Sequence, residues 1–429
     1  MKKKICTKIA ILSAFACLLL FLSAALSSCI FETEPERVPL SGYRIVYSPD
    51  ITAVASNAER FSDIIYQFCG IKPELLLYAD VTELPEDTLP VVIDRTGIQF
   101  ADEFIDSLSD TSYGFSFTEN GIVIAGKTPA LTCLALRLFI DAVLKTPDHF
   151  SGGELIFRPG YTMTRSADPF FLTPAGILNS KDEVEAYITS LRQIPKQGDF
   201  TSGQGAATDG EYFYCILRNK TTDTDVIVKL SAQSDFSDAL ANMKVSGELD
   251  VSHGNDMCFD TRRNLLIIDD MNGSRLTVVD PETLEIVERI TVSGLSGTIY
   301  GVAYCEARDS YVLRAGNKIY ILDSQWHVLR SAPNNEDPSY VGQGMDCDEN
   351  LIYIPQSRSA DKGTSDDIIR VFDWDLNFVR TVHLPSDLEC ETIMNHGGHY
   401  YMYFTKKGGR IYDLGFSGLL DVTGFDNQG

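Results

Sequence analysis

One phrase returns five times in the second half of this chain, and that repetition constrains the fold more than any other feature. Gln204-Gly205 precedes Ala-Ala-Thr-Asp209, and His253-Gly254 precedes Asn-Asp-Met-Cys-Phe-Asp260. Tyr300-Gly301 precedes Val-Ala-Tyr-Cys305, Gln343-Gly344 precedes Met-Asp-Cys-Asp348, and Glu391 holds the matching place before Thr-Ile-Met-Asn395. The steps between them are 49, 47, 43 and 48 residues. A period in the forties, filled with short apolar runs, is the sequence signature of a β-propeller.

Within each repeat the apolar runs have strand length. Leu265–Asp269, Arg275–Val279 and Glu285–Ile290 are the cleanest, with Asp280-Pro-Glu-Thr-Leu284 as a turn. Lys318–Leu322 with Asp323, and Ile369–Phe372 with Asp373, repeat the pattern of strand, turn-forming Asp and second strand. A β-sandwich accommodates such strands but has no reason to repeat one phrase at a near-constant step. Five copies predict five blades of four strands.

A strand that opens on Gly suits the crowded axis of a propeller, where a side chain would collide. The residue before that Gly then faces the channel mouth. Gln204, His253, Tyr300, Gln343 and, at the equivalent place, Glu391 are therefore the candidate ligand-binding ring. Two amides, an imidazole, a phenol and a carboxylate suit a hydroxyl-rich or amide-bearing ligand. The same positions also suit ties between blades, since buried polar groups are normally hydrogen-bonded. The five positions use four residue types, which favours a site over a repeated tie.

The first half reads differently. Strand patterns at Tyr43–Tyr47, Glu74–Tyr78 and Pro90–Asp94 alternate with helical spacing over Ala53–Cys69 and Phe100–Leu108. Glu119-Asn120-Gly121 marks a hairpin, Thr128-Pro129 opens a further helix, and Glu154–Phe157 reads as a closing strand. Ser180 with Glu183 has the spacing of a capping box and predicts a helix to about Gln193. The expected fold class is α+β and multidomain. It comprises a small α/β mixed-sheet domain over 41–165, a helical linker over 166–198 and an all-β five-bladed propeller over 199–429.

Residues 1–28 have a basic start, an apolar stretch and small residues before Cys29, the anatomy of a secretory leader. Leu26-Ser27-Ser28-Cys29 resembles a bacterial lipobox, which implies acylation of Cys29, a tether over 29–40 and a lipid-anchored place in the bacterial cell envelope, outside the cytoplasm. An uncleaved leader spanning the membrane is the alternative. The chain carries 36 basic and 60 acidic residues, net −24, and the leader takes four lysines with it. Such a surface repels phosphate backbones, so no nucleic-acid partner is expected. Of ten cysteines, seven lie beyond Cys29, an odd number with no C-x-x-C pair. Small buried hydrophobes are a better reading than a disulfide framework, with one bridge left open.

The run from Arg44-Ile-Val-Tyr47 through Leu89-Pro-Val-Val-Ile-Asp94 and Gly114-Phe-Ser-Phe117 to Gly121-Ile-Val-Ile-Ala-Gly126 resembles the small α/β domain that precedes the barrel of hexosaminidases and α-glucuronidases. That resemblance implies an accessory domain in a carbohydrate-processing setting. The Gln-Gly and His-Gly openings resemble propellers of phage receptor-binding and teichoic-acid-related proteins, which implies binding of a cell-surface polymer. Plant-type glutaminyl cyclases share five blades as a fold analogy.

Signature motifs for catalysis, phosphate cradling and zinc proteolysis are missing. His396-Gly-Gly-His399 lies on an expected turn without the further ligands zinc wants, so no metal and no cofactor are expected. Asp269-Asp270 and Asp346-Cys-Asp348 read as solvated turns, and Trp374 as exposed on one. The leading expectation is a non-enzymatic binding protein that holds a glycan or cell-envelope polymer. The alternatives are a glycosidase or lyase using Glu391 and His253 as acid and base, and a protein-interaction scaffold.

Overall fold

The structure, a computed structural model, describes residues 35–77, 89–233, 235–358, 367–386, 388–405 and 409–423. Cys29, the leader and the first half of the tether lie outside the described residues. The chain is predominantly β, 49% strand and 17% helix, arranged in several sheets.

The first half builds a six-stranded mixed sheet. Tyr43–Tyr47 sits between Glu74–Leu77 and Leu89–Ile93 and is parallel to both. Gly121–Gly126 runs parallel to Leu89–Ile93, then the hairpin partner Ser112–Thr118 and Thr162–Ser166 follow antiparallel. Helix α1 (Thr52–Cys69) keeps Ala58, Phe61, Ile64 and Ile65 on one buried stripe, as its spacing predicts. It ends where Gly70 takes the left-handed conformation at φ 70°, which its missing Cβ permits. Helix α2 (Gln99–Ser107) buries Ala101 and Ile105. Helix α3 (Pro129–Phe139) starts at Thr128, whose hydroxyl accepts the Leu131 N–H. α1 and α3 share one core with Phe115, Phe117 and Ile124, while α2 covers Val92, Val123 and Ala125 on the other face. Each such fully buried side chain contributes about 1.5–3 kcal/mol relative to exposure.

Two boundaries differ from expectation. Glu36–Pro39, expected within the tether, is a strand antiparallel to Glu154–Phe157. The helix expected from Ser180 is a strand, Val184–Ile194, antiparallel to Gly409–Gly418. The cap signal is local, but Val, Ile and Thr recur along this segment, and a strand partner more than 200 positions away outweighs a weak helix preference.

Three four-stranded sheets and one nine-stranded sheet follow, the last made of two parts, IV and V. In sheets I to IV the strand that comes first in the chain lies at an edge and packs against its counterparts in neighbouring sheets. Sheet I opens with Ser202–Thr208, sheet II with Asp256–Asp260 and sheet III with Ile299–Cys305. Sheet IV opens with the broken pair Tyr340–Gly342 and Asp346–Cys347, both laid on Leu351–Arg358. Sheet V holds Glu389–His396, His399–Thr405, Gly409–Gly418 and the early strand Val184–Ile194. A single parallel bridge, Glu185 to His383, links IV and V.

Apolar residues on both faces of these strands make five shared cores. Sheets I and II meet through Tyr214 and Leu266, II and III through Ile267 and Val302, III and IV through Ala303 and Ile352. Sheets IV and V meet through Tyr353 and Met402, and V returns to I through Tyr403 and Phe213. The seven described cysteines are free thiols, six of them buried.

The two halves are tied by backbone clamps. Asn57 of α1 donates to the Gly418 carbonyl (3.1 Å) and accepts the Leu420 N–H (2.8 Å). Arg60 and Arg137 donate to the Leu420 and Leu419 carbonyls.

Candidate functional site

The five expected ring residues do come together. Gln204, His253, Tyr300, Gln343 and Glu391 all line one cavity of about 1210 Å³ at one end of the inner strands. Irregular backbone puts most of them there. The register slips between Gly203 and Ala206, between Ile299 and Gly301, and between Cys390 and Thr392. In sheet IV the inner strand breaks between Gly342 and Asp346, around Gln343. A bulge re-aims a side chain, and at each of these sites the expected residue lies at the irregularity.

Sheet II corrects the reading. Counting four positions back from the hairpin-turn aspartates, Asp209 and Asp348 lead to Gly205 and Gly344, but Asp260 leads to Asp256 rather than to Gly254. Each of these turn aspartates accepts two backbone N–H groups of its own turn, which fixes the register. The ring residue of sheet II is therefore Asn255. His253 lies two residues upstream, half-buried on the same wall.

Asp256 joins four of the sheets. Its carboxylate accepts the N–H groups of Val302 and Met345, each at 2.9 Å, and the Thr392 hydroxyl at 2.7 Å. A Cβ on Gly344 would stand 2.4 Å from both Asp256 Oδ1 and Thr392 Oγ1, and one on Gly205 would stand 2.6 Å from the Asp256 Cα. Gly344 thus makes room for the carboxylate, and Gly205 for the backbone that carries it. Burial pushes Asp256 up to about 7, against the four hydrogen-bond donors that lower it. Residues before this level line the first cavity. Those after it, including Asp346, Cys347 and Met394, line a second cavity of about 980 Å³ at the other end, beside Pro169 and Leu172.

The first cavity also holds charges that the repeat did not reveal. Arg218 and Arg314 are only 5% and 3% exposed. Arg218 donates to Asp225 at 3.1 Å, to Asp223 and to the Ser252 carbonyl. Arg314 donates to Glu336 at 2.8 Å and to the carbonyls of Gln343 (2.6 Å) and Tyr300 (3.1 Å). A signal for them existed: Cys215-Ile-Leu-Arg218 and Tyr311-Val-Leu-Arg314 end two second strands in the same way. Glu391 is 5% exposed, and burial, then the neighbouring Glu389, pushes its carboxyl well above the usual range. Burial and the nearby Arg218 push His253 down.

Other expectations resolve individually. His396 and His399 flank a two-residue turn with Gly397 and Gly398 at positive φ. Among the described residues no cluster of three or more His, Cys, Asp or Glu is placed to hold a metal ion. Asp269 and Asp270, expected in solvated turns, are fully buried: Asp269 accepts the Met271 N–H, and Asp270 is bound by Arg275 and Thr277. Asp346 is likewise drawn in, accepting the Asn395 N–H from sheet V. Trp374 is half-buried rather than exposed. Its indole donates to the Asp348 carbonyl at 2.9 Å and its ring lies under the Arg308 guanidinium.

No protein-family model and no curated protein matches the chain. Among solved structures it is similar to the Kuenenia stuttgartiensis hydrazine synthase at 13% identity and a TM-score of 0.32, over 49% of this chain and 57% of that one. It is also similar to a chain in a nidogen/laminin complex at 12% identity and a TM-score of 0.34, over 55% of this chain and 98% of that one. The first match thus spans little more than half of the hydrazine synthase chain.

Proposed function

We propose that the five sheets form a five-bladed β-propeller and that the protein is a lipid-anchored binding protein of the bacterial cell envelope, its first cavity holding a glycan or cell-wall component. The α/β unit then acts as a spacer or second contact, and Cys29 carries the acyl anchor. The observation behind this reading is the convergence of Gln204, Asn255, Tyr300, Gln343 and Glu391, one from each sheet, on a single cavity. Amide, phenol and carboxyl groups around an open polar bowl match the alternating donors and acceptors of sugar hydroxyls.

The test is retention of the mature protein on an array of glycans and peptidoglycan fragments. Retention is expected, and it should fall when Gln204, Asn255 and Gln343 are replaced together by alanine. Retention that survives the triple substitution moves the site elsewhere. No retention on any glycan overturns the reading.

One observation favours a second reading, a carbohydrate-active enzyme. Burial displaces Glu391 upward and His253 downward in the same cavity, which favours the neutral form of each, a carboxylic acid and an imidazole base. Release of product from any retained glycan, with a bell-shaped pH profile, would establish it.

A further inference from the structure

We propose that the first cavity selects glycans carrying a free, protonated amino group, with Glu391 as the counter-charge. This rests on the glycan reading and narrows its ligand class. The argument starts from which groups around the cavity are already occupied. The Gln204 amide donates to the Gly203 carbonyl, and Asn255 Nδ2 donates to the Tyr300 carbonyl at 2.8 Å. A carbonyl only accepts, so the orientation of both amides is fixed by their partners. Gln343 Nε2 faces the Ser357 hydroxyl at 2.7 Å. Each amide has committed a donor to the protein, and among the described residues no donor reaches the amide oxygens. Those oxygens remain as acceptors.

Two of the three Lys and Arg side chains that line the cavity are occupied too, the third being Lys220 at the rim. Arg218 is matched by Asp225, Asp223 and the Ser252 carbonyl, and Arg314 by Glu336 and two carbonyls. Neither has a charge left over for an anionic ligand. Glu391 is in the opposite condition. It is 5% exposed, it lines the cavity, and among the described residues no hydrogen-bond donor or cation pairs with its carboxyl. Glu389 lines the same wall. The charges that act on Glu391 are Glu389 and Asp367, which disfavour ionisation, and the exposed rim residue Lys220, which favours it.

A buried carboxyl without a partner gains most from a cation that brings its own N–H donors. An ammonium group supplies a positive charge and three donors for such acceptors. A neutral hydroxyl supplies one donor and no charge. Burial favours the protonated form of Glu391 and an entering ammonium favours the ionised one, so binding is coupled to proton release.

The experiment is calorimetric titration of the mature chain with glucosamine oligomers, their N-acetylated counterparts, uronic acid oligomers and a linear triamine. The amino oligomers should bind about tenfold or more tighter than the N-acetylated ones, the scale of one charge-assisted hydrogen bond. Measured in two buffers of different ionisation enthalpy, their binding should release a proton. Glu391→Gln should bring the ratio close to one and abolish the proton release, while Glu391→Asp, with a shorter reach, should keep a reduced preference. Circular dichroism of both variants reports whether the fold is intact. Equal or tighter binding of the N-acetylated or acidic oligomers overturns the inference and leaves the glycan reading standing. Binding of the triamine alone overturns the glycan reading and leaves the amine preference. A preference that persists in a folded Glu391→Gln variant removes Glu391 from the role, and no binding by any of the four overturns both.

Discussion

Asp256 Oδ2 accepts the backbone N–H of Met345 at 2.9 Å, joining sheet II to sheet IV across 89 positions of sequence. The same carboxylate holds sheet III through Val302 and sheet V through Thr392. Removing it strands three buried donors. Leaving a buried donor without a partner costs about 1–3 kcal/mol, so Asp256→Ala should lower stability by roughly 3 kcal/mol or more in urea unfolding. Asp256→Asn keeps one acceptor oxygen and should fall between that variant and the parent. Equal stability of all three would remove that role.

The glycine opposite that carboxylate should be equally intolerant. A Cβ at Gly344 meets Asp256 Oδ1 and Thr392 Oγ1 at 2.4 Å, both held in hydrogen bonds. At Gly301 the nearest atom is the flexible Met345 side chain at 3.1 Å. Overpacking typically costs about 1–3 kcal/mol. Gly344→Ala should sit at or above the upper end of that range and Gly301→Ala near the lower end. The reverse order in thermal melts would contradict the packing described.

Stability should fall as pH rises from about 4 to 8. Burial is the leading cause that raises Asp225 and Asp256 to about 7, Asp367 to about 6, and Asp269, Asp346 and Glu391 well above their usual ranges. A carboxyl whose pKa is higher folded than unfolded binds more protons in the folded state. Its contribution is fully present below the unfolded value and is lost as pH climbs through the folded one. Each unit of displacement corresponds to about 1.4 kcal/mol. Denaturant midpoints at pH 5, 6, 7 and 8 should decline in that order, and a flat or rising series would refute the burial of these groups.

Asn57 should couple the two halves. Its side-chain amide satisfies both the Gly418 carbonyl and the Leu420 N–H while 1% exposed. Asn57→Ala should cost about 2–3 kcal/mol through those two orphaned groups. It should also separate a single calorimetric unfolding transition into two. One unchanged transition would show that the halves are held together by other contacts.

Much of the β architecture is legible in the sequence. The Asp-turn hairpins appear as read: Asp280, Asp323 and Asp373 each accept backbone N–H groups within their turns, and Leu284, Trp326 and Leu376 take positive φ after them. The mouth residues were legible because Gly205, Gly301 and Gly344 mark where strands crowd one another. Sheet II hides its own ring residue because Asp256 stands where sheets I, III and IV carry glycine, and Gly254 lies two positions early. Val184–Ile194 was misread because a cap signal is local, while its real partner, Gly409–Gly418, is far along the chain. Arg218 and Arg314 were passed over because a charge at a strand end normally faces solvent, and only their acceptors explain their burial.

What the sequence determined alone is everything written in short-range periodicity: the alternating strands, the turns, the helical stripes of the first half and the recurring phrase. These follow from local sterics and from the two-residue and 3.6-residue repeats of side-chain direction. What only the tertiary structure decided is which distant strand completes sheet V, which residue joins four of the sheets, and which of the cavity's charges are already matched. Those depend on which partners the fold brings to each group, one of them more than 200 positions away, and a buried polar group takes its character from the partner it finds.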